Sequence, residues 1–137
     1  MKLFSKDTDY AVRVIMRLAV SGDIYVSSKE LSEQLEIPYQ FLRSVVQKLK
    51  RAGMLDSKEG IAGGVRFTGS ADKVSVADII RVLHGKVEVS DCMFRNKICS
   101  NRGTCPLRRE LLRIEDVVTQ EFDKLTIAYL LKKVTNV

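Results

Sequence analysis

Cys92, Cys99 and Cys105 are the residues of this 137-residue chain whose type and spacing point most directly to chemistry, in the pattern C-x6-C-x5-C. All three fall in Val87–Thr104 and its edge, the one long stretch without a helical period, so their sulfurs can converge on one centre. Asn96, Ser100, Asn101, Arg102, Gly103 and Thr104 favour turns there, and Gly103 permits the chain reversal that convergence needs. Six basic residues but only one acid, Glu110, lie between Cys92 and Arg113. Cationic surroundings stabilise thiolates, the form that binds metal and meets oxidants. Four readings follow from the residues alone. Three thiolates and one further ligand suit an iron-sulfur cluster. Structural zinc competes, although its usual C-x2-4-C knuckles are missing. The remaining two are a metal-free thiol switch and inert thiols. Three cysteines cannot all pair within one chain, and a chain of this length can bury a core without such staples.

The elements that must position these thiols follow from composition and periodicity. With 45% apolar and 29% charged residues, the chain reads as one domain or one domain with a small appendage. The N-terminal MKLFSKDTDY has no apolar signal region, and no apolar run approaches the roughly 18 residues of a membrane span. The expectation is a cytoplasmic protein without a membrane partner. Its net charge of +6 suits an anionic one.

Ala11, Val14, Ile15, Leu18 and Ala19 recur with helical spacing, and Gly22 ends that helix. Ile24–Val26 is a short extended piece. Ser27 with Glu30 has the form of a capping box for a second helix carrying Leu31 and Leu35. Pro38 is expected to open a third helix reaching about Ala52, with Phe41, Leu42, Val45, Val46 and Leu49 inward. Segments near Leu55–Lys58 and Val65–Thr68 flank a glycine-rich tip and predict a hairpin. Ser75 and Asp78 cap a fourth helix with Val76, Ile79, Ile80 and Leu83 buried. Pro106 opens a long helix whose seam of Leu107, Leu111, Ile114, Val118 and Phe122 suits packing against a second copy. Thr126 can cap a separate short helix and end the long one near Asp123.

The fold expected is mainly α with a small β-wing: a winged helix-turn-helix over residues 1–84, a cysteine loop over 85–105, and a dimerisation helix with a short C-terminal helix over 106–137. Two short helices, a tight turn and a wing place the third helix in a DNA major groove. Residues 43–51 hold Arg43, Lys48, Lys50 and Arg51 without an acid. Gln40, Arg43, Ser44 and Gln47 are candidates for base edges. Ser28, Tyr39, Lys48 and Arg51 suit the sugar-phosphate backbone, and Arg66 in the hairpin suits the neighbouring minor groove. No Ser/His/Asp arrangement, phosphate-cradling loop or catalytic carboxylate pair is evident, so an enzyme is not expected.

The opening MKLFSKDTDYAVRVIMRLA, the wing sequence GIAGGVRF and the three-cysteine loop before a long helix together resemble the bacterial iron-sulfur transcription regulators of the IscR, NsrR and RirA kind, over nearly the whole chain. The resemblance implies a homodimer with crossing long helices on a palindromic operator in double-stranded DNA. Affinity would depend on a cluster held by Cys92, Cys99 and Cys105. Where the IscR type has a histidine ligand, this chain has Arg108, which cannot serve. Thr8–Arg13 matches the T-D-L/Y-A-L/V-R motif of the NsrR type, whose aspartate reaches the partner's cluster, so Asp9 becomes the fourth ligand implied. That favours [4Fe-4S] slightly over [2Fe-2S], while the cysteine spacing fits neither type fully. Arg43 stands where the IscR type has a glutamate that discriminates operators. His84, the single histidine, is expected to end its helix and not to bind metal. The function implied is a regulator sensing iron-sulfur, redox or nitric oxide status. The alternatives are a cluster-free thiol regulator and a small iron-sulfur electron carrier, the latter having no use for a basic reading helix.

Overall fold

The computed structural model describes residues 4–89 and 105–135, so Cys92 and Cys99 lie outside the described residues. Helix α1 spans Lys6–Val20 and starts where the Ser5 hydroxyl accepts the Thr8 N–H at 3.1 Å. Ala11, Val14, Ile15 and Leu18 are fully buried on it, as their spacing predicts. Each fully buried Leu or Ile contributes on the order of 1.5–3 kcal/mol. This helix meets α3 (Tyr39–Arg51), β2 (Gly64–Phe67), α4 (Val76–His84) and α6 (Ile127–Thr135), making α1 the middle of the core.

Helix α2, Ser28–Leu35, is capped by Ser27, whose hydroxyl accepts the Glu30 N–H at 3.1 Å. The reciprocal arm of the expected box is not made. Glu30 accepts instead from Gln34 Nε2, one turn on, at 3.0 Å. Glu36 then takes a left-handed conformation, φ 54°, and Ile37 is buried, with its carbonyl accepting the Ser32 hydroxyl at 2.6 Å. This turn sets α2 against α3, Tyr39–Arg51. Pro38 stands just outside α3 as its cap, not as its first residue. Phe41 departs from the expected inward stripe and is 48% exposed, because one step of about 100° takes it off the line through buried Leu42, Val45, Val46 and Leu49.

Strands β1, Leu55–Lys58, and β2, Gly64–Phe67, pair antiparallel from Leu55↔Phe67 to Lys58↔Gly64. Val26 adds an isolated antiparallel bridge to β2, exchanging two backbone hydrogen bonds of 2.9 Å with Val65. Gly64, at φ +155°, lies so close that a Cβ would come 2.3 Å from the Val26 carbonyl oxygen. Helix α4, Val76–His84, has the expected capping box between Ser75 and Asp78. Ile79 and Ile80 are buried, while Leu83 is half-buried.

Helix α5 runs Pro106–Lys124 and α6 runs Ile127–Thr135, with the Thr126 hydroxyl accepting the Tyr129 N–H at 3.1 Å. The chain returns here to the segment that leads into α4. Val76 N–H bonds Leu125 O, Ile127 N–H bonds Val74 O and Ala128 N–H bonds Ala71 O, all within 2.8–2.9 Å. Ile127 is fully buried in the same core as α1, so the winged core takes in α6 as well as residues before 85. Among the described residues no helix is long and apolar enough to cross a membrane.

Gly64→Ala forces the wing away from Val26 and is expected to cost about 1–3 kcal/mol. Thermal unfolding measures it; an unchanged midpoint would show that the close approach is not needed.

Candidate functional site

Burial of one face of α3 turns its polar residues outward together. Leu42, Val45 and Leu49 are shielded, and Gln40, Arg43, Ser44, Gln47, Lys50 and Arg51 are exposed. The sequence therefore places the candidate base readers on one accessible surface. Tyr39 is exposed at the start of the helix, with the Arg43 guanidinium 5.8 Å from its ring centre. Lys48 sits on the flank, where Asp7 of α1 lies 3.7 Å from its ammonium group. Ser28, the first residue of α2, is half-buried beside the cap made by Ser27. Arg17 Nε donates to Gln34 at 2.8 Å and ties α1 to α2 behind the reading helix.

Sequence reasoning missed a cluster at the base of the wing. The Tyr25 hydroxyl donates to Asp56 Oδ2 at 2.6 Å, and the Arg66 guanidinium lies 5.0 Å over the Tyr25 ring. Arg66 also pairs with Asp56 at 3.4 Å and Asp23 at 3.7 Å. The residue expected to reach a minor groove is thus engaged low on the hairpin. Its neighbourhood was legible in part, because the register opposes Asp56 and Arg66, but nothing local announces Tyr25. The hydrogen bond from Tyr25 holds the Asp56 carboxyl below the ordinary carboxylate range, with Arg66 adding to the effect. The same bond favours the neutral phenol and raises Tyr25.

In the C-terminal part of the chain, Cys105 is the N-cap of α5. Its half-buried sulfur accepts the Arg108 N–H at 3.4 Å, and the first turn of α5 has no acid. Asp9 is in the first turn of α1, its side chain 40% exposed and 3.1 Å from Arg13. Ser5, which caps that turn, lies 2.7 Å from His84 Nε2 at the end of α4, the helix-ending place expected for the histidine. Along α5, Leu107 is 66% and Ile114 38% exposed and Leu111 is half-buried, whereas Val118 and Phe122 pack partly on the protein's own core. Phe122 meets Phe4 with ring centres 6.2 Å apart. The outer stretch of the seam is the part left open.

A helix-turn-helix with an acid-free reading face and a glycine-tipped hairpin beside it defines a winged-helix DNA-binding regulator. The family model described as Rrf2, iron-dependent transcriptional regulator, matches residues 4–133, and the chain belongs to that family. It is 35% identical over 125 residues to the HTH-type transcriptional repressor NsrR of Streptomyces coelicolor, covering 90% of this chain and 84% of that one. The solved structure of CymR, the global cysteine regulator of Bacillus subtilis, superposes with a TM-score of 0.79 at 27% identity, covering 97% and 98% of the two chains. The oxidized form of Staphylococcus aureus CymR gives 0.73 at 28% identity, with 96% of each chain covered. The protein is a DNA-binding transcription regulator.

The Tyr25–Asp56 bond has a direct readout. An Asp lowered in the fold supports stability above its unfolded pKa, and that support is lost as pH falls through the lower folded value. Carbon NMR titration should place the Asp56 midpoint below that of an ordinary Asp and move it upward in Tyr25→Phe. Equal midpoints in the two proteins would remove the bond as the cause.

Proposed function

We propose that this regulator senses through an iron-sulfur cluster held by Cys92, Cys99 and Cys105, with Asp9 of a partner subunit as fourth ligand. The observation that carries the reading is the placement of Cys105. Its sulfur caps a helix of 19 residues at the end where backbone N–H groups favour an anionic occupant, beside Arg108 and Arg109. A bound cluster would supply a centre whose integrity and oxidation state respond to oxidants and nitric oxide, and [4Fe-4S] is favoured over [2Fe-2S]. Asp9 fits the ligand role because it is accessible and its ion pair with Arg13 is a surface one, of the sort worth little on its own.

Ligation would hold the Cys92 to Cys105 loop between the reading domain and α5, which Arg81 clamps at its far end through Asp123 at 3.2 Å. The open stretch of α5 around Leu107 and Ile114 is the proposed homodimer seam. Two reading helices at a fixed separation then suit a palindromic operator, and altering the loop alters that separation. The domain division at residues 84 and 105, a cytoplasmic site of action and a non-enzymatic role belong to the same proposal. A cluster-free thiol regulator is the second reading, supported by the likeness to a relative solved in an oxidized form.

Cys99→Ala should abolish the visible absorbance, iron and sulfide gained on anaerobic reconstitution, and Asp9→Ala should weaken or shift that absorbance with the fold intact. Wild-type protein that gains no iron or sulfide would leave the thiol reading. Ile114→Glu should yield monomers by analytical ultracentrifugation; an unaltered dimer would move the seam elsewhere.

A further inference from the structure

The wing ends in one large side chain. Ile61 is completely exposed, and its neighbours Glu59, Gly60, Ala62, Gly63 and Gly64 offer no other apolar reach. Such a residue contributes nothing to the core. The turn around it is nevertheless tightly built. Gly63 N–H bonds Gly60 O at 3.0 Å, a Cβ at Gly63 would stand 2.2 Å from the Lys58 carbonyl, and Gly60 has φ +108°. Glycines thus make a compact reversal that presents a single side chain.

The position of that turn is fixed too. Gly64 packs on the backbone of Val26 and Ser27, so the tip emerges beside the N-terminus of α2, an end of a helix-turn-helix that faces phosphate. Charge does not explain what the tip does there. Glu59 is acidic, Lys58 lies 6.0 Å from the Tyr25 ring centre, and Arg66 is engaged by Asp56 and Asp23. From Gly60 to Gly63 the tip offers DNA only apolar contact and backbone.

We infer that Ile61 is an apolar wedge that enters the minor groove next to the major groove read by α3, and that it disfavours guanine there. Apolar side chains are used in this way to unstack minor-groove steps. Guanine alone raises an exocyclic N2 amino group from the groove floor, and an isoleucine would strip its hydration without replacing the hydrogen bond. The wing would then add selectivity for A·T-like minor grooves to the base readout of α3.

Inosine isolates the contact, because it lacks the N2 amino group and keeps guanine's major-groove edge. The probes are a mixed-sequence duplex and a copy in which inosine replaces every guanine, titrated with the full-length protein at fixed salt. Wild type should bind the inosine copy roughly fivefold more tightly, about 1 kcal/mol. Ile61→Ala and Ile61→Gly should bring the two within about twofold while leaving thermal unfolding unchanged, since the side chain is outside the core. Ile61→Lys should bind both duplexes more tightly, with a salt slope steeper by about 1, and show no preference. Equal wild-type affinity for the two duplexes, or a preference that survives in Ile61→Ala, would overturn the assignment.

Discussion

The burial of α1 is the constraint on which the other elements depend. Its apolar stripe is covered on different sides by α3, α4, α6 and β2, so the reading helix, the wing and the helix leading to the cysteine loop are all referenced to one rod. Close-packed contacts of this kind transmit displacement, because side chains at crystal-like density have little room to absorb it. The orientation of the reading face is therefore set by packing that involves none of the exposed candidate base readers, Gln40, Arg43, Ser44 and Gln47.

The polar side of the same helix carries a second set of ties, concentrated in its first turn. Ser5 meets His84 of α4, Asp7 meets Lys48 of α3, and Asp9 meets Arg13. Each bond is modest alone, and surface ion pairs are worth little in isolation. Their value lies in sharing one turn. A change at the N-terminus of α1 reaches the flank of the reading helix and the end of α4 without crossing the core.

Helices α1 to α4 and the hairpin were legible in the sequence because period, caps and glycines agreed locally. Ser75 with Asp78, and Thr126 before Ile127, marked boundaries that the fold keeps. The rest was hidden for two different reasons. Phe41 extends the apolar stripe by one residue, and its phase on the helix puts it beside the buried line. Val118 and Phe122 of the expected seam also pack partly on the protein's own core, a contact that the spacing along α5 does not announce. The Tyr25–Asp56–Arg66 cluster joins three stretches of chain, and Ser5 meets His84 across 79 positions. Such contacts exist only once the fold has been assembled, so pattern along the chain does not reveal them. The acid-free face of α3 was readable because helical geometry alone turns it outward.

The backbone bridge between Ser75 and Thr126 gives the molecule a closed stem. Helices α4 and α5 leave and return at that stem, which the Arg81–Asp123 pair fastens as well. Cys105, at the N-terminus of α5, lies at the end of that helix away from the stem, and adding or removing residues in a connecting loop changes closure entropy only slowly with length. The number of residues between the thiols can therefore drift without disturbing the reading head. On this architecture the connection between α4 and α5 can vary in length and chemistry while the DNA-reading core stays the same.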